Sequence, residues 1–275
     1  EFPGFEMKKN RVIPILLLKN GWLVQSRGFQ KYNNIGNPVT SVQRLSQWAS
    51  DELIFLDISR DDNYDLRRDD QGYENRKEFI EIIKDIAQVT FMPLTVGGRI
   101  RSLKDMEKRL LIGADKVALN TKAFENPEII AEAAAEFGSQ CIVISVDVKA
   151  QGEGHEVFIE GGGSATGMQA VEWCCQAESL GAGEILLNSI DRDGVGNGYD
   201  MPLLQSVSDA VSIPVIACGG AGEWSHFAEA LKKTRVDAVA AANIFHHIDQ
   251  SVFYAKKTLS EQGVNVRRPD IIKIN

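Results

Sequence analysis

Short apolar, β-branched runs alternate with stretches of helical period from one end of the chain to the other. The runs at 12–18, 53–56, 94–96, 116–119, 142–146, 185–187, 214–217 and 238–241 are apolar without polar alternation. That pattern predicts parallel strands buried on both faces. Helices fill the gaps. Asn37-Pro38 supplies a cap and a first-turn proline before the stripe Val39, Val42, Leu45. Asn75 with Glu78 resembles a capping box ahead of Phe79, Ile82, Ile83 and Ile86. Ser102 caps a stretch carrying Leu103, Met106 and Leu110, which Gly113 ends. Asn126-Pro127 opens a helix that Gly138 closes, and residues 168–180, 202–210, 224–231 and 250–259 supply the rest. Eight strand–helix units in strict alternation predict an α/β fold of one kind, a closed (β/α)8 TIM barrel.

An internal repeat favours the barrel over an open, doubly wound sheet. Val96-Gly97-Gly98 is echoed by Cys218-Gly219-Gly220, and the run 113–117 by the run 235–239. Gly97 and Gly219 are separated by the same interval as Asp115 and Asp237, close to half the chain. The run 15–21 is matched more loosely by 145–151. A constant interval predicts two fused half-barrels.

The 275 residues, 44% hydrophobic and 25% charged, suit one barrel domain over 11–275 behind an N-terminal extension, 1–10. Met7 followed by Lys8 and Lys9 reads as a natural start, so residues 1–6 are expected to be foreign to the native chain. A net charge of −8 argues against a nucleic acid or an anionic membrane as main partner. No apolar run approaches the ~20 residues of a membrane helix, and the first ten residues lack a signal-peptide core. A cytoplasmic protein without membrane insertion is expected. Cys141 and Cys218 fall in apolar strands and Cys174 and Cys175 on a helix, all four read as reduced. With His155, His226, His246 and His247 they show no metal-ligand spacing. Neither a metal nor a cofactor is expected.

The chemistry concentrates at strand ends. Both Gly-Gly pairs end a strand and precede a helix, where backbone N–H groups can approach an anion closely. The next strand of each half ends in small polar residues, Asn120-Thr121 and Asn243. A tight turn alone would explain one pair. The repeated pair points to two phosphate sites, Gly97, Gly98, Asn120 and Thr121 against Gly219, Gly220 and Asn243, and to a ligand phosphorylated at both ends. Asp147 ends the fifth strand, with Lys149 two residues on, and is the candidate general acid or base. Asp57 ends the second strand, where it serves either chemistry or the capping of its loop. The stretch 188–194 is dense in hydrogen-bonding groups, with Asp193 and Gly194 as candidate phosphate contacts. At the opposite mouth, Arg11, Glu52, Lys116 and Glu184 each stand where a strand begins, either as solvated charges or as a neutral ring closing the barrel bottom.

These motifs together resemble the cyclase subunit of imidazole glycerol phosphate synthase, the HisF family, from Arg11 to about Arg267. The match rests on 51–58, 96–98, 113–117, 137–140, 181–185, 189–194 and 219–222. The resemblance implies a HisH-like glutaminase docked on the barrel bottom and ammonia passing through the barrel to a bis-phosphorylated substrate. It places the ammonia gate on Arg11, Glu52, Lys116 and Glu184, one catalytic aspartate on Asp147, and partner docking beside the gate at Asp115. The family's other catalytic aspartate falls on Leu17, its next-loop lysine on Gln25, and the third glycine of its first phosphate loop on Arg99. The loop Ser59 to Arg76 is longer than the family's and dense in charge. Such departures resemble a divergent branch found in bacterial surface-polysaccharide pathways, whose members pass ammonia to a separate amidotransferase that makes acetamidino sugars. A true cyclase of histidine biosynthesis and a non-catalytic scaffold that activates the glutaminase are the alternatives.

Overall fold

Strand β1 (Arg11–Lys19) shows why the strands are continuously apolar. Ile13 and Ile15 point to the barrel axis, while Val12, Leu16 and Leu18 pack outward beneath the helices. Between Arg11 and Lys19 both faces of the strand meet apolar layers, so no polar alternation survives. The computed structural model describes residues 8–60, 64, 76–152, 154–246 and 250–268. The first seven residues, most of the long charged loop, Asn75 and His247 therefore lie outside the described residues.

Seven more parallel strands follow: β4 (Leu53–Asp57), β5 (Leu94–Gly97), β6 (Lys116–Leu119), β7 (Ile142–Gln151), β10 (Glu184–Ser189), β11 (Val215–Cys218) and β12 (Ala238–Ala241). β1 pairs with β4 and β12, and β10 pairs with both β7 and β11, so the sheet closes on itself. The expected eight-stranded barrel is the observed fold. Its interior is filled by Ile13, Ile15, Ile54, Ala118, Val143, Leu186, Ile216, Ala238 and Ala240. A larger apolar layer joins the strands to the helices outside.

The helices are α1 (Pro38–Gln47), α2 (Phe79–Ala87), α3 (Leu103–Leu111), α4 (Thr121–Glu125), α5 (Glu128–Phe137), α6 (Ala170–Ser179), α7 (Met201–Ala210), α8 (Trp224–Lys233) and α9 (Ser251–Glu261). Asn37 accepts from the Val39 amide at 2.8 Å and Ser102 from the Asp105 amide at 3.3 Å, so both caps act as expected. The cap of α2 differs. Glu78 is itself the N-cap and closes a box with Glu81, one turn later than an Asn75 start would place it. Gly113 and Gly138 end their helices with positive φ, 117° and 89°.

Other differences arise where antiparallel strands extend the barrel's C-terminal rim. β2 (Trp22–Arg27) and β3 (Lys31–Gly36) form a hairpin after β1, and β8 (Gly154–Ile159) and β9 (Ser164–Gln169) continue from β7. Residues 168 and 169, expected in a helix, end β9. Cys141, expected in a strand, closes a one-turn 3-10 helix at 139–141, because Gly138 breaks the chain just before it. All four cysteines are free thiols.

The half-barrel repeat has a physical counterpart. Asp115 donates its amide to the Leu94 carbonyl and accepts from the Leu94 amide through Oδ2 at 2.8 Å. Asp237 makes the same reciprocal pair with Val215, accepting at 3.1 Å. Lys8 pairs with Asp237 at 2.6 Å, and Asn10 bridges to Val266, which ties residues 8–10 to the barrel.

Candidate functional site

The four charged residues at the strand entrances meet across the barrel bottom. Arg11 donates from Nη1 to Glu52 Oε1 and from Nη2 to Glu184 Oε1, both at 2.6 Å. Lys116 Nζ donates to Glu52 Oε2 at 3.1 Å and to Glu184 Oε2 at 2.9 Å. Each cation bridges both carboxylates, so the arrangement is a closed, neutral ring rather than four solvated charges. Glu52 and Glu184 are buried. Burial opposes the charge on Arg11, but Glu184 and Glu52 outweigh it and hold the guanidinium pKa above its ordinary value. Asp115 stands beside the ring, exposed, with one carboxylate oxygen on the strand-entry amide of Leu94.

At the other end a cavity of about 880 Å³ opens on the axis. Leu17, Leu56, Cys218 and Ala242 pack on the last apolar layer beneath it. Asp147 is buried in its wall and accepts one carboxamide on each oxygen: Asn120 Nδ2 on Oδ2 at 2.7 Å and Asn188 Nδ2 on Oδ1 at 3.2 Å. Loss of hydration raises its pKa to about 7, against the two amides that favour the carboxylate, while nearby Asp193 adds to the rise. A carboxyl group so poised can give or take a proton near neutrality. Lys149 is turned away to the Gly162 carbonyl, 3.1 Å, and over the Phe158 ring.

The first glycine loop sits between β5 and α3. Gly98 has φ 95°, and a Cβ there would lie 2.1 Å from the Asp57 carbonyl oxygen, so no side chain fits. Arg99 follows with φ 55°, and its Nε lies 3.3 Å from Asp57 Oδ2 at the cavity wall. Asp57 also accepts from the Ser59 amide at 2.9 Å and the Tyr64 hydroxyl at 2.7 Å, which is the loop-capping role. Arg109, buried on α3, donates to the Gly98 carbonyl at 2.8 Å and holds the loop from behind. On the neighbouring strand, Asn120 is spent on Asp147, and Thr121 accepts from the Glu160 amide at 2.9 Å.

The second glycine loop lies after β11. Gly219 and Gly220 have φ 87° and 109°, and a Cβ at Gly220 would lie 2.2 Å from the Gly198 carbonyl. Asn243 donates through Nδ2 to the Ser26 carbonyl at 2.7 Å. Asp193 accepts from the Ser26 hydroxyl at 2.7 Å and the Phe29 amide at 3.2 Å, while its own carbonyl takes the Gly28 amide. Gly194 leaves the room in which Ser26 and Arg27 sit. Asp193 and Gly194 thus fasten the β2–β3 hairpin against the rim.

The structure gathers Asp147 and both glycine loops around one cavity and places the ring at the far end of the same barrel. Ser26, Phe29 and Arg109 escape sequence reasoning, since their roles depend on partners far away in the chain. Asn188 lay in a stretch already marked by its density of polar groups. Among the described residues no group of side chains could hold a metal ion, and no helix is long and apolar enough to cross a membrane.

A family model described as histidine biosynthesis protein matches residues 11–250. The imidazole glycerol phosphate synthase subunit HisF of Caulobacter vibrioides strain NA1000 / CB15N is 44% identical over 263 residues, covering 95% of this chain and 97% of that one. The HisF subunit of strain ATCC 19089 / CIP 103742 / CB 15 is equally similar.

Proposed function

The chain belongs to the HisF family of imidazole glycerol phosphate synthase subunits, and from that premise we propose that it is the synthase subunit of a glutamine amidotransferase. A HisH-like glutaminase docks on the barrel bottom beside Asp115. Its ammonia enters through the gate of Arg11, Glu52, Lys116 and Glu184 and reaches the cavity at the top. The closed ring beneath an axial cavity is the observation that carries this reading. The glycine loops hold a phosphorylated ligand there, through Gly97, Gly98 and Thr121 at one end and Gly194, Gly219, Gly220 and Asn243 at the other, and Asp147 manages its protons. Asn120 holds Asp147, and Asp193 holds the hairpin, at the same cavity. The protein works in the cytoplasm.

Leu17 distinguishes between chemistries. Two carboxylates facing each other across the cavity could share acid and base duties, but leucine transfers no proton. The reading we favour is therefore the divergent one, in which ammonia is used or passed on in acetamidino-sugar and surface-polysaccharide biosynthesis. The 44% identity over nearly the whole chain supports the second reading, a cyclase-lyase of histidine biosynthesis. A chain that binds and activates the glutaminase without turning over any acceptor would be a scaffold. The test mixes the chain with its candidate glutaminase and measures association and glutamine hydrolysis, with and without phosphorylated acceptors. Association at micromolar concentration with acceptor-stimulated hydrolysis is expected. Its absence defeats the reading.

A further inference from the structure

Three aspartates stand just before barrel strands at the bottom, and each closes a reciprocal pair on the entrance of the strand before. Asp51 donates its amide to the Val12 carbonyl at 3.3 Å and accepts the Val12 amide on Oδ2 at 2.8 Å. Asp115 does the same with Leu94, and Asp237 with Val215. The three differ in what they join. Asp115 is followed by one ring residue, Lys116. Asp237 is followed by Ala238 and meets the ring only through its carbonyl, which accepts the Arg11 amide at 3.2 Å. Asp51 stands between two ring residues: Glu52 follows it, and Arg11 precedes its partner Val12. Those two make one of the ring's 2.6 Å contacts.

Asp51 also differs in what backs it. Its Oδ1 accepts from Lys256 Nζ on α9 at 2.5 Å. Lys256 is fully buried, and the same ammonium donates to the Ala49 carbonyl at 2.5 Å. Ala49 has φ 62°, a left-handed conformation that a side chain disfavours, two residues ahead of Asp51. By contrast Asp115 is exposed, and Asp237 pairs with the exposed Lys8. A buried ion pair adds little stability over apolar residues of the same volume, so its retention points to a geometry that it fixes.

We propose that Asp51 and Lys256 are positioning residues for the ring: Lys256 locks the Asp51 carboxylate, which fastens the entrance of β1 to that of β4 and so sets Arg11 against Glu52. The last helix thereby governs how firmly the barrel bottom is closed. As a statement about ammonia passage this rests on the gate proposed above; as a statement about the ring it stands on the contacts alone.

The experiment follows the Arg11 guanidinium by ¹⁵N NMR in arginine-labelled full-length protein, assigned with Arg11→Lys. Both Nη groups of Arg11 are held by carboxylates, so their protons should exchange slowly with water in the wild type. Lys256→Met removes the anchor and keeps most of the side-chain volume. Asp51→Asn keeps an acceptor for the Val12 amide but loses the ion pair, and serves if the lysine variant does not fold. Either should quicken exchange of the Arg11 Nη protons about tenfold, the worth of roughly one hydrogen bond. Ile130→Ala, a core change on α5, is the control for lost stability: it should lower the urea midpoint and leave Arg11 exchange as it was. Unchanged Arg11 exchange in a folded Asp51 or Lys256 variant overturns the proposal, as does equal quickening in Ile130→Ala. Quickened exchange confined to the two clamp variants, in a chain that binds no glutaminase, would uphold the clamp on the ring and reject the gate. Unchanged exchange in a chain that binds and activates a glutaminase would reject the clamp and leave the gate.

Discussion

Single side chains at this barrel's two ends carry the sharpest consequences. At the bottom, Lys116 is one of two cations shared by Glu52 and Glu184. Lys116→Ala leaves both carboxylates on Arg11 alone, in a place where water reaches them poorly. The loss should be about 1–3 kcal/mol, between an exposed pair and a fully buried one. A lower urea midpoint with unchanged slope would register it, and Lys116→Met, which keeps the aliphatic stem, should recover little. At the top, Asp147 has the opposite bearing on stability. Its carboxyl is raised from 3.8 to about 7 by burial, so between these values the folded chain holds a proton that the unfolded chain has released. This group therefore destabilises the fold progressively as pH rises through that window, by about 4 kcal/mol once ionised in both states. Below pH 4 the penalty is absent. Asp147→Asn should flatten the stability–pH curve between about pH 4 and 7 and be more stable than wild type at pH 8, while losing the acid–base function proposed for it. Denaturation at pH 5 and pH 8 checks the sign.

Among the elements, the β2–β3 hairpin owes part of its anchoring to a few side-chain contacts. Its strand β2 pairs with β1, and it is tied to the rim besides by Asp193 on Ser26 and Phe29 and by Asn243 on the Ser26 carbonyl. Asp193→Ala removes two acceptor contacts and leaves the Phe29 amide unmatched. Hydrogen exchange should then quicken across residues 22–36 while the barrel strands keep their protection, because local opening needs only the hairpin's own contacts to break. Equal exchange in both proteins would show that the hairpin is held by something else. The glycine loops form a second pair of elements whose backbone dictates the residue. A Cβ at Gly98 or Gly220 would overlap a neighbouring carbonyl, so alanine at either position must shift the loop. Sulfate soaked into crystals should settle first at Gly219-Gly220, where no arginine follows the glycines, and water alone at that loop would speak against a phosphate site.

For the whole molecule, the ring, the apolar axis and the cavity lie in series along one barrel. A small neutral molecule entering at the bottom would pass Ile13, Ile15 and Leu186 before reaching Asp147. The chain should not replace a histidine-pathway cyclase in a deficient strain, since one acid–base group contributes about 10²–10⁴-fold and Leu17 supplies none. Robust growth of such a strain would favour the cyclase reading over the acetamidino-sugar one.

Much of this was legible in the sequence because it depends on local pattern. Residues 12–18 are apolar at every position, as a strand covered on both faces requires, and eight such short runs alternating with helical stretches led to the barrel. Asn37-Pro38, Ser102 and Gly138 mark helix ends through their own backbone chemistry, and the repeated Gly-Gly pairs marked strand ends at the rim. Asp147 and the four ring residues could be singled out by their positions at strand ends. The sequence was silent where a residue's role is set by a partner far along the chain. Nothing local told that Asn188 would lie against Asp147 with an oxygen left over, that Asp193 would grip Ser26, or that Arg109, on a helix surface by pattern, would turn in to hold Gly98. Nor could it tell a solvated set of charges from a ring. Closure of the barrel brought Arg11, Glu52, Lys116 and Glu184 within hydrogen-bonding distance, because only the circular order of strands makes neighbours of their entrances.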